Sequence, residues 1–244
     1  MISLSHLKAP QLIPERNIYS DQQQPRLADI LDDPKRREWP EQAIKELLKT
    51  SEAERSQEIA DYTEDGASEP KKELRCAAKA NGYKISESTT QLLRDLYQQK
   101  DYQGYAFRLF YARPEVADKV FTPGTRVADF ATQSASIHLG HAHEWMKLGV
   151  EHEAKATQAI ILVFDTKVPK KNIASGFLMD HVLVMPGEVF EVSEKEERPD
   201  AIYVMLKHVQ LQDHEPVYSS FDGTELVDFH DKKAHLDSVM KSHG

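Results

Sequence analysis

The alternation of apolar and polar positions divides the chain into a polar opening stretch, a middle with helical periodicity and a later part made of short apolar runs. Residues 1 to about 39 carry Pro10, Pro14, Pro25 and Pro34, the run DQQQ and many charges, and predict an extended or partly disordered arm. From Pro40, PEQAIKELLKTSEAERSQEIADY sets Ile44, Leu47 and Leu48 at helical spacing behind a proline suited to a first turn. That pattern predicts a helix with one apolar face. The next stretch, TEDGASEPKKE, is polar with Gly66 and Pro70 and reads as a loop. KISESTTQLLRDLYQQKDYQG then places Ile85, Leu92, Leu93, Leu96 and Tyr97 on one helical face, with Ser88 and Gln91 positioned for a capping box.

After Gly104 the periodicity changes to that of strands. YAFRLFYA is a short aromatic and apolar run that suits a buried strand, interrupted by one charge, Arg108. AIILVFDTKV is the strongest strand signal, HVLVMPGEVFEV reads as two strands around a Pro-Gly turn, and AIYVMLKHV adds another. VYSSFDGTELVDF brackets Asp222-Gly223, a pair favoured in tight hairpins, before a short polar helix from about Asp231. Helices first and then short strands, with one helical segment over 136–149 among them, predict an α+β domain with a strand-built core. The expected divisions are an arm over 1–39, a helical part over 40–100, a core over 101–215 and a hairpin with a short helix over 216–244.

Composition narrows the function classes. With 244 residues and 40% apolar content the chain can bury a sizeable core. The 31 basic against 40 acidic residues leave a net charge of −9, which repels phosphate backbones and argues against nucleic acid as a partner. A basic or neutral protein suits that charge better. No window approaches the ~18 apolar residues of a membrane span, so a soluble protein is expected, with export by a route that needs no apolar signal left open. The lone Cys76 rules out an internal disulfide and reads as a small buried residue. Neither GxGxxG nor GxxxxGK[ST] occurs, which excludes two familiar nucleotide loops.

Four features carry candidate chemistry. Arg108 cannot shed its charge, so in an aromatic strand it needs an anion or several acceptors, unless its stem reaches solvent. In FATQSAS, Ser136 suits a helix N-cap, while Ser134 lies two residues earlier on the same side of an extended strand. His138 and His141, one helical turn apart in HLGHAHEW, have a spacing that can bind zinc, but they lack a third ligand and the HExxH pattern. Finally, Asp180 and His181 open the HVLV strand, where strand alternation points them to opposite faces unless a bulge intervenes.

In order and spacing, these pieces resemble the mono-ADP-ribosyltransferase superfamily, in the bacterial toxin and effector branch marked by an Arg, a Ser-x-Ser and a Glu-x-Glu motif. The resemblance runs from about Gly82 to Val209. YAFRLFY is similar to the first core strand with Arg108 as its arginine. FTPGTRVADFATQSAS is similar to the passage ending in Ser-Thr-Ser, and NIASGFLMDHVLVMPGEVFEV to the turn, Glu-x-Glu strand and Pro-Gly turn that follow.

The resemblance implies a core of two packed, mainly antiparallel sheets and the transfer of ADP-ribose from NAD, as substrate, to a protein acceptor, with no metal. A host protein is the kind of acceptor implied, and a secreted toxin or effector the kind of enzyme. It implies that Arg108 holds the dinucleotide, Ser134 orients the catalytic acid, Ser136 caps or assists, Phe130 stacks on nicotinamide and Phe177 meets the acceptor. Where the family has Glu-x-Glu this chain reads Met179-Asp180-His181. Three readings stay open: a bulge brings Asp180 in as the carboxylate, His181 acts as base or ribose ligand, or the site binds NAD or a protein without catalysis. A metal-dependent hydrolase built on His138 and His141 is a weaker alternative.

Overall fold

The computed structural model describes residues 25–51, 57–62, 68–80, 83–149, 157–175, 178–211 and 215–242. Its first part is helical: α1 (Leu27–Leu31), a 3-10 turn (Pro34–Arg36), α2 (Glu41–Thr50), α3 (Gln57–Asp61), α4 (Ser68–Lys79) and α5 (Glu87–Gln98). The expected extended arm therefore differs over its described part. Leu27, Ile30 and Leu31 sit at i, i+3 and i+4 and are buried against Ile161, Val163, Tyr203 and Met205. Full burial of each such side chain contributes roughly 1.5–3 kcal/mol, which outweighs the polar character of the surrounding sequence.

Two further expectations change. The stretch read as a loop holds the first half of α4, because Pro70 stands third in the helix, within the first turn, where no intrahelical hydrogen bond is lost. The long helix expected from Pro40 stops at Thr50, with Ser51 in extended backbone. On α4, Cys76 faces solvent rather than the core. The cap of α5 is Ser86, not Ser88, and Ser86 also donates its hydroxyl to Glu73 of α4 at 2.9 Å.

The remaining elements are β1 (Asp101–Tyr102), β2 (Ala106–Ala112), α6 (Pro114–Val120), β3 (Arg126–Ala128), β4 (Gln133–Ser136), α7 (Leu139–Gly149), β5 (Gln158–Phe164), β6 (Lys170–Asn172), β7 (His181–Val184), β8 (Val189–Glu197), β9 (Ile202–His208), β10 (Tyr218–Ser219) and α8 (Phe229–Lys241). The strands connect in the order β1-β6-β7-β4-β2-β5-β9-β8-β3-β10, and among the described residues only β5-β9 and β3-β10 are parallel. A single residue pair, Phe107 with Ser136, links β2 to β4 and so joins the two halves into one continuous sheet.

The halves nevertheless face each other. Ala135, Val182 and Val184 from β4 and β7 share a core with Ala106, Ile160, Leu162, Val204 and Leu206 from β2, β5 and β9. The strands on either side of Pro186-Gly187 do not pair with each other. β7 pairs with β4 and β6, and β8 with β9 and β3, so this turn carries the chain from one half to the other. Gly187 takes φ +76° there, a region open to glycine without strain. Helices α3, α4, α5 and α8 cover the opposite face of β7 through Leu74, Leu93, Leu183 and Leu236, while α1 and α7 cover the outer face of β2, β5 and β9.

Candidate active site

The site is organised along β4. Ser134 and Ser136 share a strand face about 6.5–7 Å apart, with Ala135 turned into the core. At the Ser134 end, Arg108 donates from Nη1 to the Ser134 carbonyl at 2.7 Å, and among the described residues no carboxylate pairs with it. Arg75 of α4 lies nearby in a two-pronged ion pair with Asp129, Nε to Oδ1 at 3.0 Å and Nη2 to Oδ2 at 2.6 Å. Asp129 also accepts from the Ala131 backbone N–H at 2.9 Å. The Tyr62 hydroxyl meets Thr132 Oγ1 at 2.6 Å and also faces the Ser134 hydroxyl.

Lys71, one turn before Arg75 on α4, completes the cluster with its ammonium 5.4 Å from the centre of the Tyr62 ring. Burial first, and then the charges of Arg108 and Arg75, lower the pKa of Lys71 to about 8 against the pull of Asp129. Burial likewise presses the Arg108 pKa down. Three cations thus converge on one carboxylate, itself committed to Arg75. The surplus positive charge is suited to an anionic ligand.

At the Ser136 end a different group assembles around Asp180, which is 1% exposed. Its Oδ2 accepts from the Ser136 hydroxyl and from His141 Nδ1 at 2.8 Å, and its Oδ1 from His181 Nδ1 at 3.1 Å. Burial by itself would raise the Asp180 pKa, but the hydrogen bonds from His181, Ser136 and His141 outweigh it and hold the carboxyl well below the usual carboxylate range. An ionised carboxylate only accepts, so each imidazole presents an Nδ1–H to it and a neutral ring keeps its lone pair on Nε2. Trp145 stacks edge-on to His141 at 4.4 Å and also lies 5.4 Å from His181, leaving part of the His141 ring and of Trp145 exposed.

Placement by sequence and placement by structure differ in informative ways. Arg108, Ser134, Ser136, Asp180 and His181 all come together along β4. The serine that reaches the carboxylate is Ser136, because the β4–β7 register sets Ser136 opposite His181 and Ser134 opposite Leu183. No bulge is needed to bring in Asp180. It belongs to the turn before β7, and its carbonyl accepts from Ile137 N at 2.9 Å, which holds it beside Ser136. Phe130, expected to stack on nicotinamide, is 2% exposed and packs between Tyr83 and Phe229 at ring distances of 5.7 and 5.3 Å. Phe177 lies outside the described residues.

His138 and His141 diverge, so they cannot form the zinc pair considered from their spacing. His138 Nε2 lies 3.0 Å from the Arg37 carbonyl, under Trp39, whereas His141 turns to Asp180. Sequence reasoning missed Lys71 and Arg75, whose signal was the i, i+4 spacing of basic residues on a segment taken for a loop.

No model of a protein family matches the sequence, and no curated protein matches it. Solved structures do match. The ADP-ribosyltransferase Vis in complex with the M6 inhibitor is similar with a TM-score of 0.58 at 15% identity, over 77% of this chain and 94% of that one. The Vis toxin, an ADP-ribosyltransferase from Vibrio splendidus, matches with a TM-score of 0.53 at 15% identity, over 76% and 92%. Vis in complex with agmatine gives 0.55 at 14% identity, over 77% and 95%. The chain therefore has an ADP-ribosyltransferase-like fold. Among the described residues no helix is long and apolar enough to cross a membrane.

Proposed function

We propose that this chain is an NAD-dependent mono-ADP-ribosyltransferase that modifies a protein, acting as a bacterial toxin or effector secreted toward a host. One observation carries the reading: on an ADP-ribosyltransferase-like fold, one strand joins a cluster of surplus cations to a buried, ionised carboxylate. Arg108, Arg75 and Lys71 would hold the two phosphates of the dinucleotide. The nicotinamide ribose then lies toward Ser136 and Asp180.

Transfer breaks the bond between C1′ of the ribose and the nicotinamide nitrogen. The bonding pair leaves with nicotinamide, positive charge builds on C1′ and the ring oxygen, and the acceptor nucleophile attacks C1′ and loses a proton. The negative charge of Asp180 opposes that developing positive charge without first having to lose a proton, because its three donors keep it ionised. His141 stands between Asp180 and the exposed side. With Nδ1–H held by the carboxylate, its Nε2 is free to take the acceptor's proton. The net charge of −9 favours a basic acceptor surface.

A second reading, a non-catalytic module that binds NAD or a protein, is favoured by one specific feature: both Asp180 oxygens are already occupied by protein donors. Nicotinamide release from NAD separates the two. The transferase reading expects release, faster with a cell lysate as acceptor, and loss of at least about tenfold in Arg108→Ala and Asp180→Ala. NAD binding by the wild type with no nicotinamide released, even with lysate present, would sink it and leave the binding module.

A further inference from the structure

The three groups at the Ser136 end also form a ligand set that the transferase chemistry does not call for. One ring nitrogen of His141, one of His181 and one carboxylate oxygen of Asp180 lie within 4.8 Å of one another. We infer that these three side chains form a binding site for a divalent first-row transition ion, with zinc as its simplest occupant. Ligands of a tetrahedral zinc ion stand about 3.4 Å apart, given bonds of about 2.0–2.2 Å. The present Nδ1-to-carboxylate distances of 2.8 and 3.1 Å lie below that spacing and all three ligand atoms lie within 4.8 Å, so side-chain rotations that open the two hydrogen bonds admit an ion, each neutral ring then carrying its proton on Nε2 and its lone pair on Nδ1.

The surroundings fit a coordination site in three further respects. Ser136 donates to Asp180 and in turn accepts from His138 N at 2.8 Å, the outer hydrogen bonding that fixes a ligating carboxylate. The two imidazoles come from different elements, α7 and β7, with ring planes at 75° and centres 5.8 Å apart, so they approach a shared point from different directions. His141 is 22% exposed in its side chain while Asp180 and His181 are enclosed, which leaves the fourth position facing outward, for water or another ligand. Two nitrogens and one oxygen without a thiolate select zinc, cobalt, nickel or ferrous iron over calcium or magnesium.

The site stands independently of the transferase reading and constrains it. An ion here would take up the negative charge that Asp180 offers to the ribose, so ion occupancy and NAD chemistry are alternatives at one spot.

The test uses the full chain, free of any histidine tag and stripped of metal, titrated with cobalt(II) and then competed with zinc. A 1:1 visible absorption of low-symmetry cobalt, displaced by zinc, is expected. His141→Ala, at a partly exposed position, should keep the circular dichroism of the wild type and weaken cobalt binding by at least about tenfold, with His181→Ala doing the same. His143→Ala, whose ring contacts Tyr203 instead, should bind like the wild type. Absence of 1:1 binding, full binding in His141→Ala, or equal loss in His143→Ala would each overturn the site.

Discussion

Lys71 offers a quantitative test of the proposed dinucleotide site. In the free protein its pKa is about 8, because burial and the nearby Arg108 and Arg75 disfavour a third positive charge. A pyrophosphate placed against this cluster removes that penalty and returns the lysine toward its ordinary value of about 10.4. Free Lys71 is then about nine-tenths charged at pH 7 and about one-tenth charged at pH 9, whereas in the complex it is charged at both. Binding at pH 9 takes up about 0.9 proton, against about 0.1 at pH 7, and the affinity falls about tenfold between the two, or roughly 1.4 kcal/mol. Tyr62, raised by burial, does not titrate in this window.

Calorimetric titration with ADP-ribose reads this directly, since repeating it in buffers of different ionisation enthalpy yields the number of protons exchanged. Lys71→Met should bind more weakly at pH 7 and show nearly the same affinity at pH 9. Proton uptake near zero at pH 9, or an unchanged pH slope in Lys71→Met, would refute the placement of the phosphates at this cluster.

Two further outcomes follow from buried contacts elsewhere. Lys170, 1% exposed, donates to the carbonyls of Asp165 and Val168 at 2.8 and 2.7 Å, and burial lowers its pKa to about 8. The folded state therefore binds fewer protons than the unfolded one between pH 8 and 10.5, so this lysine makes stability rise with pH, by about 2 kcal/mol from pH 7.5 to 9.5. Denaturant midpoints at those two pH values should show that rise cut by roughly half in Lys170→Met, Lys71 supplying the remainder; an unchanged difference would contradict it. Gly140→Ala would set a Cβ 2.6 Å from the His138 ring and 3.1 Å from the Arg37 carbonyl. It should break the His138–Arg37 contact, cost roughly 1–3 kcal/mol and speed proteolysis within residues 25–40; an unchanged melting temperature would show that the segment does not depend on that contact.

The fold was legible where one element satisfies its own pattern. β2, β5 and β9 are runs of β-branched and aromatic residues, and α5 shows a clean apolar stripe, so local physics alone identifies them. The site was legible only in its parts. Strand alternation puts Ser134 and Ser136 on one face but cannot say which meets the acid, since that depends on the pairing of β4 with β7 across 44 intervening positions of sequence. Alternation also misdirects the reading of Asp180 and His181: the rule applies inside a strand, and Asp180 is in the preceding turn, which lets adjacent side chains meet. The cations Lys71 and Arg75 were hidden behind Pro70, a helix breaker by composition that the first turn of α4 accommodates.

The histidines around Asp180 bear on how fast such a site could work. A carboxylate in direct contact with the ribose, about 3 Å away, would interact with a full positive charge by about 5.5 kcal/mol at an effective dielectric of 20. Set back behind the ring of His141, at about 6 Å, the same charge is worth about 2.8 kcal/mol. The difference is about a hundredfold in rate. Asp180 keeps its charge because Ser136, His141 and His181 donate to it, and those same donors occupy both of its oxygens. On the proposed reading, such a site makes a slow transferase rather than an inert one. His141→Gly, which opens a path to the carboxylate while leaving Ser136 in place, should speed loss of nicotinamide to water and slow transfer to a protein acceptor, because it removes both the barrier and the base; an unchanged nicotinamide rate would refute distance as the limiting term.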